Sequence, residues 1–247
     1  MEAWKRKTEY LVGQEACRRL ADAHVAVVGI GGVGAFAAEF LGRAGIGHLT
    51  LVDGDSVSES NRNRQLPALC STTGQSKTEV MAGRLRDINP SIDVRSLTLF
   101  LKPDDAPAFI GQADQFRQEP FLPFDTVVDA IDTVPSKVAL IAACLQARVP
   151  VVSAMGAAGK LDPAQVRCTD ISKTFQCPLA KAVRNGLKKA GITSGVPVVF
   201  STEVSDLTHA AFEEGERPVP GSVSYMPALF GGWLSSYVIR KLINDQA

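Results

Sequence analysis

Three glycines, an aspartate and a run of cations hold spacings that could do chemistry. Gly29, Gly31 and Gly34 stand in a GxGxxG pattern directly after the apolar run Val25-Ala26-Val27-Val28. Glycines so spaced permit a tight strand-to-helix turn, a close approach of backbone to ligand and close helix–strand packing, while the helix start offers N–H groups to a phosphate. An ordinary glycine-rich turn in an α/β sheet can look the same. Asp53 ends the next apolar run, where a carboxylate can accept a hydrogen bond from a ribose hydroxyl. To this point a dinucleotide and a nucleoside triphosphate serve equally. The following residues separate them: Asp55, then Asn61-Arg62-Asn63-Arg64-Gln65, then Gly74-Gln75-Ser76-Lys77. A nicotinamide pocket has no use for such a cluster, whereas the β- and γ-phosphates of ATP are neutralised well by arginine forks and a lysine.

The elements that must position these groups follow from periodicity. A helix is expected over 9–20, with Tyr10, Leu11, Ala16 and Leu20 as its apolar positions. Arg6 and Lys7 precede it, on either a solvated tail or a segment that reaches another subunit. A buried strand at 25–28 leads to a helix over 33–44 and a strand over 48–53. Residues 55–66 are polar and irregular. A helix over 76–88 is ended by Asn89-Pro90. A strand at 92–99, a short helix at 103–110 and a surface insertion at 112–123 come next. Residues 124–132 form another buried strand that ends on Asp132. Ligands of open parallel sheets sit beyond the carboxyl ends of the strands, so Asp132 is placed to hold a magnesium ion carried by the triphosphate, to cap the helix before Pro135, or both.

A helix over 136–147, a strand over 150–154 and the small-residue stretch Met155-Gly156-Ala157-Ala158-Gly159 continue the alternation, which implies a parallel sheet. Beyond Lys160 the pattern weakens to short strands near Val166 and Val198 and a helix over 178–190. Lys181, Arg184, Lys188 and Lys189 on that helix, with Lys160, Arg167 and Lys173 upstream, could meet nucleic-acid phosphates or simply face water.

The 247 residues, 45% hydrophobic, suffice for one α/β domain with a sizeable core. Lys plus Arg equals Asp plus Glu, which excludes a wholly basic surface but not a basic patch. Five cysteines without a CxxC pair argue against a four-cysteine zinc site and a disulfide framework. The charged start of the chain is unlike a signal peptide, and 225–243, interrupted by Pro, Gly, Ser and basic residues, is expected as a buried helix rather than a membrane span. Reducing cytoplasm is the expected compartment.

The ordered set of GxGGxG, Asp53 in Leu-Val-Asp-Gly-Asp, Asn61, Asn63-Arg64-Gln65, Lys77 and Asp129-Ala-Ile-Asp132 resembles the E1-like adenylating superfamily. Within it the chain is similar to the tRNA threonylcarbamoyladenosine dehydratases, through Asn-Arg-Gln, Asp-Ala-Ile-Asp-Thr, Ala-Ala-Gly-Lys-Leu-Asp-Pro, Pro-Leu-Ala-Lys and Phe200-Ser201-Thr202-Glu203, from Tyr10 to about Lys241. The resemblance implies a Rossmann-type, mostly parallel sheet flanked by helices, with 1–154 as the nucleotide-binding half and 155–247 as a substrate- and dimer-facing half. It implies a cytoplasmic homodimer using ATP and Mg2+ to cyclise the threonylcarbamoyl group of a tRNA adenosine through an acyl adenylate.

The same resemblance implies that Gly29, Gly31, Gly32 and Gly34 line the phosphates and that Asp53 takes the ribose. Asn61, Arg64 and Lys77 clamp the triphosphate, with Asp55, Gln65 and Thr133 beside them, and Asp132 holds the metal. The alternative is adenylation of a sulfur-carrier protein, whose enzymes usually carry paired CxxC zinc ligands. A monovalent cation and a sulfur- or electron-relay partner are left open. Two features depart from the superfamily: Arg6 and Lys7 are the candidates for a basic residue supplied across the dimer, and Gly221 to Tyr225 contains no cysteine before the final helix. Cys177, at a helix start that would favour a thiolate, is the remaining candidate thiol, with a plain packing role as the other reading.

Overall fold

The structure, a computed structural model, describes residues 2–116, 122–205, 208 and 220–244. Its centre is a seven-stranded sheet with strand order β3-β2-β1-β4-β5-β7-β6. The strands are β1 His24–Val28, β2 His48–Val52, β3 Asp93–Leu97, β4 Thr126–Asp129, β5 Val151–Ala154, β6 Val166–Asp170 and β7 Pro197–Ser201. All neighbours are parallel except β6 with β7. Helices fill the connections: α1 Arg6–Val12, α2 Gln14–Asp22, α3 Gly34–Ala44, α4 Lys77–Ile88, α5 Ala106–Ile110, α6 Val134–Gln146, α7 Pro178–Lys189 and α8 Tyr225–Asn244.

The continuous apolar strands are explained by burial on both faces. Successive side chains point to opposite faces, so Val25 and Val27 join Leu41, Phe230 and Leu234 in one core, while Ala26 and Val28 join Phe109, Leu140, Leu187 and Phe200 in the other. Registers align the strand exits: Val28 lies opposite both Val52 and Asp129, Val52 opposite Leu97, and Asp129 opposite Ser153. β1 is the strand from which the order runs outward both ways, and the crevice beside it is where a doubly wound sheet binds ligand.

Helix α8 packs against α3. A Cβ on Gly231 would lie 2.6 Å from the Val33 carbonyl oxygen and 2.8 Å from Phe36 Cβ, so only glycine allows the two helices this approach. Among the described residues no helix is long and apolar enough to cross a membrane.

Three expectations need correction. The helix expected over 9–20 is two helices, broken where Gly13 adopts φ 83° and redirects the chain. Ala16 and Leu20 pack inward, but Tyr10 and Leu11 are 74% and 85% exposed. Arg6 and Lys7 consequently lie inside α1 and not ahead of a helix. The strand expected to run to Asp132 stops at Asp129, whose carboxylate binds the Ile131 N–H at 3.1 Å and turns the chain out of the sheet. The insertion at 112–123 is anchored inward, with Gln112 and Phe116 buried and the Phe116 ring edge-on to Phe109 at 5.6 Å. Residues 117–121 of it lie outside the described residues.

Candidate active site

The aligned strand exits open into a cleft of about 1130 Å³. Its floor is the turn from β1 to α3. Gly29 has φ 93°, and a Cβ there would come 2.6 Å from the Ala130 carbonyl oxygen. Gly31 and Gly32 line the cleft, and a side chain on Gly31 would enter open space beside Gln65. The first N–H groups of α3 have no intrahelical partner, so this end of the helix favours an anion. Gly34 is different from the expectation that it lines phosphates. A Cβ there would lie 1.8 Å from the Gly29 carbonyl oxygen, so its role is to let α3 pack on the turn, behind the cleft.

Asp53 follows β2 and locks the glycine turn to that strand. Its Oδ2 accepts the Ile30 N–H at 2.6 Å and its Oδ1 accepts the Asp55 N–H at 2.8 Å. Burial raises its pKa above the ordinary carboxylate value, against the lowering effect of those two N–H groups. Each oxygen retains lone-pair capacity for a ribose hydroxyl. Lys77, the first residue of α4, is 5% exposed at its side chain and donates to Asp55 Oδ2 at 2.7 Å. Two of its three N–H donors remain for a ligand.

Arg64 lines the cleft and is held by Nη1, which donates to the Ser60 carbonyl at 2.9 Å and to Asn63 Oδ1 at 2.8 Å. The guanidinium has three further N–H groups. Gln65 also lines the cleft, and its buried Oε1 has no hydrogen-bond partner. Asn61 departs from its expected place in the clamp. Its Oδ1 accepts the Ser58 N–H at 3.1 Å in a capping box, which turns it into the local 3-10 turn and away from the cleft lining. Asn63 lines the cleft instead, and its Nδ2 donates to the Ser222 carbonyl at 3.1 Å, joining the clamp to the segment before α8.

Asp132 and Thr133 line the opposite wall, both exposed, with the Thr133 hydroxyl donating to Asp132 Oδ1 at 3.2 Å. Thr133, not Asp132, occupies the N-cap position of α6. The cap alternative for Asp132 therefore drops out. An exposed carboxylate facing a phosphate-sized cleft is the oxygen donor that a hard divalent cation takes, so the residues fit a magnesium ion. Beneath them lies a buried network: the Asp129 Oδ2 accepts Lys137 Nζ at 2.7 Å and Ser153 Oγ at 2.6 Å, all three side chains being fully enclosed.

Cys177 does not join this group. It is buried at the N-cap of α7, where its Sγ would lie 3.6 Å from a Cβ on Gly156, and it is not a lining residue. Lys160 is likewise no surface contact. It is 2% exposed, its Nζ donates to the Glu203 carbonyl, and burial lowers its pKa. Among the described residues no group of His, Cys, Asp and Glu is arranged as a metal cluster.

Sequence reasoning passed over several cleft residues. Phe100, exposed beyond β3, lays its ring within 2.6 Å of where a Gly54 Cβ would stand, and Pro220, Gly221 and Ser222 close the far side. Their signal is weak, since one is an aromatic after a strand and the others are a turn more than 150 residues from the glycine loop.

The ThiF family model matches residues 5–247. The chain belongs to the ThiF family. Among ThiF relatives, it is similar to the tRNA threonylcarbamoyladenosine dehydratase of Bacillus subtilis, 38% identical over 250 residues, covering 97% of this chain and 94% of that one. It is similar also to that of Escherichia coli, 39% identical over 269 residues, covering 100% and 97%. The crystal structure of the Escherichia coli enzyme in complex with ATP superposes with a TM-score of 0.84 at 38% identity, covering 98% of this chain and 96% of that one. The E1-like sheet and the dehydratase resemblance expected from sequence agree with these likenesses.

Proposed function

We propose that this chain is an ATP-dependent dehydratase that cyclises N6-threonylcarbamoyladenosine in tRNA. The observation that carries it is the convergence on one cleft of the glycine turn, Asp53, Arg64, Lys77 and Asp132, in a chain whose likeness to such dehydratases runs end to end. The threonyl carboxylate attacks the α-phosphorus of ATP, pyrophosphate leaves, and an acyl adenylate results. The carbamoyl group then attacks the activated carbonyl, AMP leaves, and the net change is loss of one water from the nucleoside.

The chain's own residues supply position and charge, which dominate phosphoryl-transfer catalysis. The α3 N-terminus and Lys77 stand at the phosphates, Arg64 opposes the developing charge on pyrophosphate, and Asp53 orients the ribose. When bound, a magnesium ion at Asp132 supplies positive charge across the phosphate oxygens. Ring closure is intramolecular and needs no thiol, which suits a cleft whose described lining contains no cysteine.

With this reading go a single domain whose 1–154 half holds nucleotide and whose 155–247 half faces substrate, a homodimer and a cytoplasmic setting. The homodimer is supported by the exposed Phe40, Leu229 and Trp233 on α3 and α8.

The test is pyrophosphate release from ATP and Mg2+ with tRNA carrying threonylcarbamoyladenosine, unmodified tRNA, or a sulfur-carrier protein. Release with the modified tRNA alone, together with loss of one water from the nucleoside, is expected. Arg64→Ala should cut the rate about 100-fold, the usual cost of one preorganised transition-state donor. Release only with the carrier protein refutes the reading.

A further inference from the structure

Residues 171–202 contain five cations, Lys173, Lys181, Arg184, Lys188 and Lys189, and no Asp or Glu, in a chain whose net charge is zero. The fold gathers most of them. α7 buries Ala180, Val183 and Leu187, which leaves 181, 184 and 188 on a neighbouring stripe by helical spacing. Lys181 and Lys188 are exposed, and Arg184 is drawn back to donate to the Thr174 carbonyl at 2.8 Å, which seats the Lys173–Phe175 loop against the stripe. Arg167 stands opposite Phe200 in the β6–β7 register, and opposed residues share a face of the sheet.

Phe175 lies among these cations. The residue is 52% exposed, and its ring meets the buried Phe200 ring at 75° and 5.7 Å, so the side chain is seated on the core yet half open to solvent. The surface begins at the cleft, which Leu179, in the first turn of α7, lines. Lys181 to Lys188 spans about 10 Å of helix. A half-exposed aromatic ring among cations that have no ion-pair partner among the described residues is what a single-stranded nucleic acid uses, one base stacking while neighbouring phosphates meet the charges. An acidic protein would have no need of the ring.

We propose that Phe175, with Arg167, Lys173, Lys181, Arg184 and Lys188 around it, is the docking surface for the single-stranded RNA that delivers the modified adenosine to the cleft. This inference rests on the dehydratase reading.

The experiment compares wild type, Lys181→Glu/Lys188→Glu, Phe175→Leu and Phe175→Trp in cyclisation kinetics with modified tRNA, in tRNA binding at three salt concentrations, and in ATP binding. Phe175→Leu keeps the cover over Phe200 but removes the π-face, and Phe175→Trp restores it. The double variant should raise KM for tRNA at least tenfold with kcat within twofold and ATP affinity unchanged. Its log–log salt slope should be shallower by about 1.4, at roughly 0.7 per single-strand phosphate contact. Phe175→Leu should raise KM about tenfold, in line with the usual loss of one base stack, and Phe175→Trp should recover it. Unchanged KM and salt slope in the double variant, with an active wild type, overturn the surface and leave the dehydratase intact. Weakened binding of heparin and tRNA alike with no change in KM overturns it too. A wild type that releases no pyrophosphate with modified tRNA refutes the dehydratase reading itself and this surface with it.

Discussion

Lys137→Met removes the cation from a carboxylate that has nowhere to go. Lys137 and Asp129 are both fully buried, 2.7 Å apart, and Ser153 Oγ at 2.6 Å and the Ile131 N–H at 3.1 Å complete the carboxylate's partners. In the variant the two neutral donors remain and the methionine fills the volume of the lysine stem, so little packing is lost. What is lost is compensation of a buried charge, and removing one partner of such a pair costs about 3–5 kcal/mol. At about 2–4 °C per kcal/mol for a chain of this size, Tm should fall by about 6–20 °C. The urea midpoint should move by about 1–2 M for an m-value near the upper end of the usual range. Asp129→Asn/Lys137→Met removes both charges, with the amide accepting from Ile131 and donating to Ser153, and should recover most of the loss. Urea unfolding followed by circular dichroism reads all three proteins. A Lys137→Met loss under about 1 kcal/mol, or a double variant as unstable as the single one, refutes the assignment of the cost to an uncompensated charge.

Gly34→Ala should abolish ATP binding by calorimetry, because the new Cβ would fall 1.8 Å from the Gly29 carbonyl oxygen and force the glycine turn off α3; binding within threefold of wild type would contradict that geometry. Gly231→Ala should lower Tm and weaken ATP binding together, since it wedges α8 away from Val33, one residue before α3 and itself a lining residue of the cleft; a change in Tm alone would separate the two. Burial pushes the Glu39 carboxyl up, but the Arg84 and Arg43 guanidiniums outweigh it and leave its pKa below the usual 4.5. A depressed folded pKa contributes stability that is present above 4.5 and lost as the pH falls through the folded value. Glu39→Gln should therefore destabilise at pH 7 by about 1–3 kcal/mol, with the difference from wild type closing below that window in urea titrations; a constant difference at every pH would count against it.

Strand and helix identities around the nucleotide half were legible because their causes are local. An unbroken apolar run rich in valine is a strand buried on both faces, the turn after it needs glycine at 29 and 34, and Asn89-Pro90 stops a helix. Asp129 was misread because its role depends on neighbours brought in by folding, whereas Gly13 ends α1 and Asn61 closes its capping box through local backbone contacts. At Gly13 a glycine stop signal outweighs the apolar pattern over 9–20, whereas an aspartate at the end of an apolar run carries no mark that a lysine eight residues on will bury itself against it. Asn61 is turned from the cleft by its capping box with Ser58, while Asn63 is joined there to Ser222 from the far end of the chain. Lys160 and Lys181 are equally basic in composition, yet one lies under the strand-exit loops with its charge turned inward and the other stands in water. Types and spacings thus pointed to a nucleotide site built from phosphate-directed groups. The tertiary structure alone decided which of those groups converge, because convergence joins residues whose separation along the chain leaves no periodic trace.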